Sequence, residues 1–403
     1  MSPAERFHIA VFPGDGIGHE IMDACIQVLD ALEKSIGGFE LIKESLPGGA
    51  EFYRKTGTDI SDEAFQEAEA ADAILLGAMG LPYVRLPDGT EIAPHLKMRT
   101  EFGLYAGVRP VKTYPNCPGP LADPRAARID LVVLRESTEG LFASRGKGIV
   151  VADREARDTM VITRPACERL FDFAFRLARR RKEKGGKGIA TCVDKSNVFR
   201  SMAFFRKIFD ERAKDFPDIR AEHHYVDAMA LDLVRRPWDF DVLVAENMFA
   251  DILSDLGGGI IGGMGMAPCA EIGVRHALFQ PAHGSAPDIA GTGKANPTAM
   301  LLSAGMMLEW LGERSDCRPC RAAAKALEDA VVAAFASGTI RPCEFGGTDG
   351  VADYTRKIVA LIARQGGGSH ANTKDPLRRV MQNDNMPPLN KKAAPWGPKP
   401  DNP

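Results

Sequence analysis

Short apolar runs alternate with amphipathic helical patterns along this chain, and the alternation restricts the folds that it can adopt. Five runs bounded by polar or turn-forming residues have the length and composition of buried strands, namely 9–12, 73–76, 131–134, 189–193 and 242–245. Because strands and helices follow each other in turn, the sequence predicts an α/β fold that contains much parallel sheet.

Composition and charge argue against several classes of function. The 403 residues have a formal net charge of -3, which provides no general attraction to nucleic acid or to an anionic membrane. No apolar run approaches the ~20 residues that span a bilayer, and the N-terminus lacks the apolar stretch of a secretory signal. The eight cysteines are scattered apart from one CxxC at Cys317 and Cys320. This predicts reduced thiols in a cytoplasmic protein, with redox or metal use of that pair as the alternative.

The composition changes near the end of the chain. Residues 365–403 begin with Gln365 and three glycines and are rich in Pro, Asn and Lys, with too few apolar residues to form a core. We therefore expect a flexible tail. The alternatives are a tail that folds over a partner subunit and a secondary RNA-binding role of its basic residues.

Three carboxylates form a candidate metal site. Asp251 and Asp255 are four residues apart, which places both on one face of a helix, where their charges repel unless a cation offsets them. Asp227 supplies a third acid from another part of the chain. Carboxylates without clustered histidines suit magnesium or manganese (Mg²⁺ or Mn²⁺) better than zinc. For the pair alone, two solvated acids on a surface helix are the alternative interpretation.

Three arginines and a lysine form a complementary cationic set. Arg135 ends a buried strand, where α/β folds gather ligands, and Arg99 and Arg109 precede it in the chain. Guanidinium groups bind carboxylates through paired hydrogen bonds, so three of them beside a metal would hold a di- or tricarboxylate. Lys195 follows another strand and is a candidate proton acceptor or relay. For each residue alone, a surface ion pair or a solvated side chain is the ordinary alternative.

Two loops are candidates for ligand contact. Residues 14–18 follow the first strand, but their glycines fall at every second position without the G-x-G-x-x-G spacing, so a standard Rossmann site is not predicted. Glycines in such a turn still let the backbone approach a ligand closely. Residues 280–291 are rich in small residues and contain His283 and Asp288, which predicts an ordered ligand loop.

Together these segments resemble the β-decarboxylating dehydrogenase family, which includes isopropylmalate, isocitrate, homoisocitrate, tartrate and D-malate dehydrogenases. The likeness extends over about residues 7–362. The motifs that carry it agree in order and spacing, and they are residues 14–18 (GDGIG), Arg99, Arg109 before Pro110, Arg135-Glu136, Val193-Asp194-Lys195, Tyr225-Val226-Asp227, Asp251 through Asp255, and His283 through Asp288.

The resemblance implies an isopropylmalate dehydrogenase-like α/β fold of two domains, with central sheets flanked by helices, and not a Rossmann fold. Residues 1–104 and 263–364 would form a first, discontinuous domain that carries most cofactor contacts. Residues 105–262 would form a second domain with the substrate and metal residues and the dimer interface.

The resemblance also implies a homodimer with shared active sites. Lys195 and Asp227 are expected to act catalytically in the site of the neighbouring subunit, whereas Asp251 and Asp255 serve their own subunit and hold the metal together with that Asp227. The expected substrate-binding residues are Arg99, Arg109, Arg135, His95 and Leu96. The expected cofactor-binding residues are His283, Gly284, Ser285, Ala286, Asp288, Ile289 and Asn296.

Asp288 indicates the cofactor. An acid here accepts hydrogen bonds from the adenosine ribose and repels a 2′-phosphate, and phosphate-using relatives have Lys and Tyr where this chain has Asp288 and Ile289, so NAD is expected. The predicted function is NAD- and metal-dependent oxidative decarboxylation of a malate-type 2-hydroxy-dicarboxylic acid, such as 3-isopropylmalate, tartrate or D-malate. An isocitrate or homoisocitrate dehydrogenase and a non-catalytic regulatory subunit are the alternatives.

Three features depart from the family pattern. Phe142 stands where the family usually has a tyrosine that is expected to protonate the enol left by decarboxylation, and phenylalanine has no proton to donate. Water or another group must then do so, or turnover is slow, or the chemistry stops at oxidation. Residues 92–96 contain neither the acid typical of isopropylmalate enzymes nor the Ser and Asn typical of bacterial isocitrate enzymes, and Gly107 replaces an Asn. These positions therefore do not name the substrate.

Overall fold

A ten-stranded sheet runs through the protein, and the computed structural model describes residues 4–366 of the chain. The strands are β1 (Glu5–Gly14), β2 (Phe39–Ser45), β3 (Ala73–Ala78), β4 (Ala106–Lys112), β5 (Asp130–Glu136), β6 (Ile149–Val151), β7 (Glu155–Arg157), β8 (Ile189–Asp194), β9 (Arg220–Tyr225), β10 (Val242–Ala245), β11 (Pro268–Ile272) and β12 (Ala277–Pro281). The helices are α1 (Gly18–Ile36), α2 (Ala50–Thr56), α3 (Asp62–Ala70), α4 (Pro94–Glu101), α5 (Arg164–Glu183), α6 (Arg200–Ala213), α7 (Val226–Arg235), α8 (Asn247–Ile260), α9 (Thr298–Arg314), α10 (Arg318–Ala336) and α11 (Val351–Gly366).

The sheet consists of two parallel blocks joined by antiparallel strands. Its order is β2-β1-β3-β12-β11-β4-β5-β10-β8-β9, while β6 and β7 form a separate hairpin. The first four and the last four strands pair in parallel, and β11 and β4 pair antiparallel with their neighbours between the blocks. The α/β class with much parallel sheet is therefore confirmed, and each of the five predicted strands lies in this sheet.

The burial of the strands explains why the apolar runs in the sequence could be recognised as strands. Strands β3, β8 and β10 are buried at every residue, as continuous apolar runs predict for a sheet that is covered on both faces. Helix α1 places Ile21, Cys25, Val28 and Leu32 at helical spacing in the core. The core thus follows directly from the two periodicities of the sequence.

The glycine-rich turn after β1 is held by the chain itself. Asp15 is fully buried between the turn and two other segments. Its carboxylate accepts hydrogen bonds at 2.8, 2.7 and 2.7 Å from the backbone amides of Ala50, Glu51 and Gly80. Gly16 has a φ of +56°, and a Cβ at this position would clash with the carbonyl oxygen of Ser285. Glycine is therefore required at position 16 because the turn packs closely against the backbone of Ser285, and this contact is within the chain and not with a ligand.

The predicted domain boundaries fall between elements, just before β4 and just after α8. The sheet continues past both boundaries, and the two-domain division stays a prediction. Helix α11 ends at Gly366, two residues inside the segment predicted to be a flexible tail; residues 367–403 lie outside the described residues. All eight cysteines are in the described part, and none forms a disulfide. None of the helices in this part has the length and apolar character needed to cross a membrane.

Candidate active site

Four neighbouring parallel strands end at one edge of the sheet and position most of the candidate residues. Arg135 lies near the end of β5, and α8, which carries Asp251 and Asp255, begins directly after β10. Lys195 follows β8, and Asp227 lies in the first turn of α7 directly after β9. Because β5, β10, β8 and β9 are adjacent and parallel, their carboxyl ends share an edge, where α/β folds commonly bind ligands.

Arg99, Arg109, Arg135 and Asp251 line one cavity of about 850 Å³. The three arginines come from α4, β4 and β5, and all three are buried. The predicted substrate-binding residues His95 and Leu96 line the same cavity. The structure thus brings together all five substrate residues that the sequence suggested, with one of the three acids.

Asp251 is shared by two of the arginines. Arg109 Nη1 donates to Asp251 Oδ1 at 2.8 Å and to Ser254 Oγ at 2.6 Å. Arg135 Nη1 donates to the same Asp251 oxygen, while its Nε and Nη2 donate to Asn247 Oδ1 at 2.8 and 2.6 Å. Helix α8 therefore orients two guanidinium groups through three of its side chains. Asn247 and Ser254 were not found from the sequence, because nothing in it shows which arginine each residue would meet.

Arg99 has a different acidic partner. Its Nη2 lies 2.7 Å from Glu271 Oε1, and Ser137 Oγ donates to the other oxygen of Glu271 at 2.6 Å. Gly107 lies between Arg135 and Glu271 in the strand register, and a Cβ there would be 3.1 Å from Glu271 Oε2 and 2.9 Å from Ser137 Oγ. The absence of a side chain at Gly107 leaves room for the hydrogen bond between Ser137 and Glu271. Glu271 was missed, although an acid inside the apolar strand β11 was a visible signal.

The charges around the cavity favour an anionic ligand. Burial, followed by repulsion from Arg109 and Arg99, lowers the pKa of Arg135 to about 10, so this arginine is still charged at neutral pH. The Nε atoms of Arg99 and Arg109 are buried, and neither has a hydrogen-bond partner among the described residues. A substrate carboxylate would relieve the repulsion among these cations and accept hydrogen bonds from guanidinium groups.

The candidate metal ligands are not all brought together in one chain. Asp251 borders the cavity, and Asp255 lies one helical turn further along α8, 4.0 Å from Arg109 Nη1. Within residues 4–366 of a single chain, no group of three or more His, Cys, Asp or Glu side chains is placed to hold a metal ion. Helix α8 therefore provides two of the three candidate carboxylates.

Lys195 and Asp227 form a separate pair. Lys195 Nζ donates to Asp227 Oδ1 at 2.6 Å, and this hydrogen bond lowers the pKa of Asp227. Neither residue lines the cavity of its own chain. The Asp227 side chain is 67% exposed, which leaves it accessible to a second copy of the chain.

The loop after β12 reaches the edge of the cavity through His283 and Gly284. Burial lowers the pKa of His283; its Nδ1 lies 2.9 Å from the Gly284 carbonyl oxygen, and its Nε2 has no partner among the described residues. Ser285 Oγ donates to the carbonyl oxygen of Gly80. This part of the predicted cofactor loop is therefore fixed against the segment that follows β3, beside the arginine cluster.

The remaining candidate cofactor residues lie outside the cavity lining. Asp288 is exposed, whereas Ala286 and Ile289 are half-buried and pack against the core. Asn296 is buried, and its Oδ1 accepts hydrogen bonds at 3.1 and 2.6 Å from the amide and hydroxyl of Thr298. Its Nδ2 donates to Glu344 at 2.9 Å. The Asn296 side chain is thus engaged in holding the fold, so a cofactor contact by this residue would come from its backbone.

Phe142 lies in the cavity wall, on the short 3₁₀ turn Leu141–Ser144. The Arg135 guanidinium carbon is 5.0 Å from the centre of its ring, a cation–π contact. Phe142, which replaces the usual tyrosine of the family pattern, therefore faces the same cavity as the arginines.

Comparison with known proteins identifies the relatives of this chain. Residues 8–359 match the family described as isocitrate/isopropylmalate dehydrogenase. The chain is 42% identical over 362 residues to the 3-isopropylmalate/3-methylmalate dehydrogenase of Methanocaldococcus jannaschii, covering 89% of this chain and 99% of that protein. It is also 42% identical over 314 residues to the 3-isopropylmalate dehydrogenase of Aquifex aeolicus, covering 76% and 84%.

Solved structures agree with the sequence relatives. The isocitrate dehydrogenase of Methylococcus capsulatus has a TM-score of 0.78 and 34% identity, covering 89% of this chain and 99% of that one. A β-decarboxylating dehydrogenase of Thermococcus kodakarensis has a TM-score of 0.71 and 33% identity, covering 92% and 100%. The fold and its relatives define a decarboxylating oxidoreductase. The chain belongs to the isocitrate/isopropylmalate dehydrogenase family, which confirms the family and fold type expected from the motifs.

Proposed function

We propose that this chain catalyses the NAD-dependent, divalent-metal-dependent oxidative decarboxylation of a malate-type 2-hydroxy-dicarboxylic acid. The observation that carries the proposal is the single cavity in which three buried arginines meet Asp251, with the His283 loop at its edge. Its volume of about 850 Å³ is within the range of ligand sites in proteins. The relatives that are named 3-isopropylmalate dehydrogenases support a substrate with a malate backbone.

In this proposal the arginines bind and orient the substrate. Arg99, Arg109 and Arg135 hold its carboxylates, and their positions on α4 and on two paired strands fix the direction of the hydroxyl-bearing carbon. Positioning of this kind supplies much of the catalysis, because the reacting atoms are aligned before the reaction begins.

The donor set fits a hard divalent cation. Mg²⁺ or Mn²⁺ would be held by Asp251 and Asp255, whose carboxylates are one turn apart on α8, and by Asp227 from a second copy of the chain. When bound, the cation supplies Lewis-acid polarisation of the oxygen at C2. The same arrangement makes the homodimer the active unit, and each of its two sites combines residues from both copies.

Lys195 is proposed to move the proton of the C2 hydroxyl, with Asp227 as its hydrogen-bonded partner. The dinucleotide supplies the redox chemistry, and the exposed Asp288 favours NAD because a carboxylate repels a 2′-phosphate. Phe142 borders the cavity without a proton to donate, so protonation at C3 is left to water or to another group.

Isocitrate or homoisocitrate is the second candidate substrate. The solved isocitrate dehydrogenase with a TM-score of 0.78 favours it, as does the strongly cationic wall of the cavity.

The test is a substrate panel with purified protein, Mn²⁺ and either NAD or NADP. We expect reduced cofactor and CO₂ with NAD and at least one acid. Lys195→Met should abolish both products, while the matched control Lys184→Met, at a side chain that is 72% exposed and paired with Glu309, should leave the rate unchanged. No NADH from any acid would contradict the proposal and favour a regulatory subunit. Faster turnover with NADP would contradict the role of Asp288.

A further inference from the structure

Two polar side chains in the cavity have no part in the mechanism above. His95 lies on α4, and Arg145 follows the 3₁₀ turn that carries Phe142. Both line the cavity that holds the arginine cluster. His95 is one helical turn before Arg99, so the two side chains project from the same face of α4. A carboxylate on Arg99 would therefore place the neighbouring substituent of the substrate beside His95.

His95 presents a neutral ring to this part of the cavity. The Nδ1 atom of His95 is buried and has no hydrogen-bond partner among residues 4–366. Burial, followed by the charges of four arginines that include Arg145, lowers the pKa of His95 to about 3. A neutral ring carries one N–H, and Nε2 is its favoured position because the buried Nδ1 meets no acceptor. His95 therefore offers one donor to a ligand.

Arg145 differs from the other arginines that line the cavity. Arg99, Arg109, Arg135 and Arg157 each have a carboxylate partner. Arg145 pairs with no carboxylate in the described part of the chain, and its Nη2 donates only to the carbonyl oxygen of Glu91, at 3.3 Å. The Glu91 carboxylate is directed to Arg85, at 3.5 Å. Arg145 therefore keeps free hydrogen-bond donors at the cavity wall beside the neutral His95.

We propose that His95 and Arg145 bind an oxygen-bearing side group at C3 of the malate backbone, either a hydroxyl or a carboxymethyl group, and so select against a branched alkyl group. The inference rests on the proposed function and names the substrate class of that same site. An alkyl substituent would cover both donors without pairing them, and sites built to hydrogen-bond a group discriminate strongly against analogues that lack it. The curated relatives are named for alkyl-substituted malates, so the proposal separates this chain from them.

The kinetic test compares four acids: D-malate, with no C3 substituent, 3-isopropylmalate, tartrate and isocitrate. We expect the protein to prefer tartrate or isocitrate over 3-isopropylmalate by at least about tenfold in kcat/KM. Arg145→Gln should lower kcat/KM for the preferred acid about 10–100-fold, mainly through KM, and should change that for D-malate less than about threefold. The matched control is Arg154→Gln, at an exposed arginine outside the cavity lining. A larger loss of kcat/KM for tartrate than for isocitrate in Arg145→Gln would identify the bound group as the hydroxyl. A larger loss for isocitrate would identify it as the carboxylate.

Preference for 3-isopropylmalate, or an equal loss for all four acids in Arg145→Gln, would overturn the inference. Calorimetric titration of the same acids with Mn²⁺ and no NAD separates it from the proposed function, because binding requires no turnover. If no acid yields NADH, the proposed function fails, and the binding data still decide the inference. The inference is supported if tartrate or isocitrate binds more tightly than 3-isopropylmalate and this difference disappears in Arg145→Gln. Tighter binding of 3-isopropylmalate contradicts it.

Discussion

Asp251 is the shared anionic partner of two buried guanidinium groups, and its substitution provides a quantitative test of the site. Asp251→Asn preserves the shape of the side chain but removes the charge that faces Arg109 and Arg135, whose side chains are 7% and 2% exposed. Removal of one partner from a fully buried ion pair costs about 3–5 kcal/mol. Because the Asp251 side chain is 36% exposed, water screens part of the interaction, and we expect a loss of about 2 kcal/mol in the free energy of unfolding.

Asp255→Asn is the matched control on the same helix. Its carboxylate is 63% exposed and lies 4.0 Å from Arg109, so its removal should change the free energy of unfolding by less than about 0.5 kcal/mol. The assay is urea unfolding of the metal-free protein, followed by tryptophan fluorescence at several protein concentrations. Equal losses in the two variants, or no loss in Asp251→Asn, would refute the electrostatic reasoning.

The two variants Asp251→Asn and Asp255→Asn should differ in stability but should both weaken metal binding. If both acids are ligands, each substitution should weaken Mn²⁺ binding at least about tenfold, because even residues that only support metal ligands have effects of this size. Calorimetric Mn²⁺ titration in the presence of substrate measures this. A normal affinity in Asp255→Asn would remove that residue from the ligand set.

Three further substitutions test separate parts of the account. Asp15→Ala leaves three backbone amides without their buried acceptor and should lower the free energy of unfolding by about 3 kcal/mol in urea; an unchanged value would contradict its structural role. The pKa of His95, about 3, is below its ordinary value, so the unfolded state binds the proton more readily and stability falls as pH drops below about 6.5. The free energy of unfolding of His95→Gln should therefore fall about 2 kcal/mol less than that of the wild type between pH 7 and pH 5, and parallel pH profiles would argue against a ring that stays neutral in the folded state. Phe142→Tyr restores a phenol beside Arg135 and should raise the ratio of CO₂ to NADH or the rate of turnover; a wild-type ratio of one at an equal rate would show that the missing phenol is not limiting.

The sequence predicted the parts of the fold that depend on local periodicity. The run 242–245 coincides with β10, and the run 189–193 ends one residue before β8 does, because both strands are buried on their two faces and leave an unbroken apolar signal. Likewise, the spacing of Asp251 and Asp255 was enough to place both on one helix.

The partners within the site could not be predicted in this way. Arg135 meets Asn247 across 112 residues of sequence, and Arg99 meets Glu271 only because β11 and β4 insert antiparallel between the two parallel blocks. Arg145 gave no signal, because the sequence does not show that the turn after Ser144 places its side chain in the wall of the cavity. These are tertiary relationships, which periodicity does not encode.

The central claim is that each active site is completed by Lys195 from a second copy of the chain. Lys195→Met and Asp255→Asn should each abolish NADH formation, and the two variants are to be coexpressed in equal amounts. In a shared-site dimer, random assembly makes half of the dimers mixed, and each mixed dimer has one intact site, so activity should return to about a quarter of the wild-type value. Coexpression that restores no activity, while the mixed dimers are shown to form, would contradict the shared site.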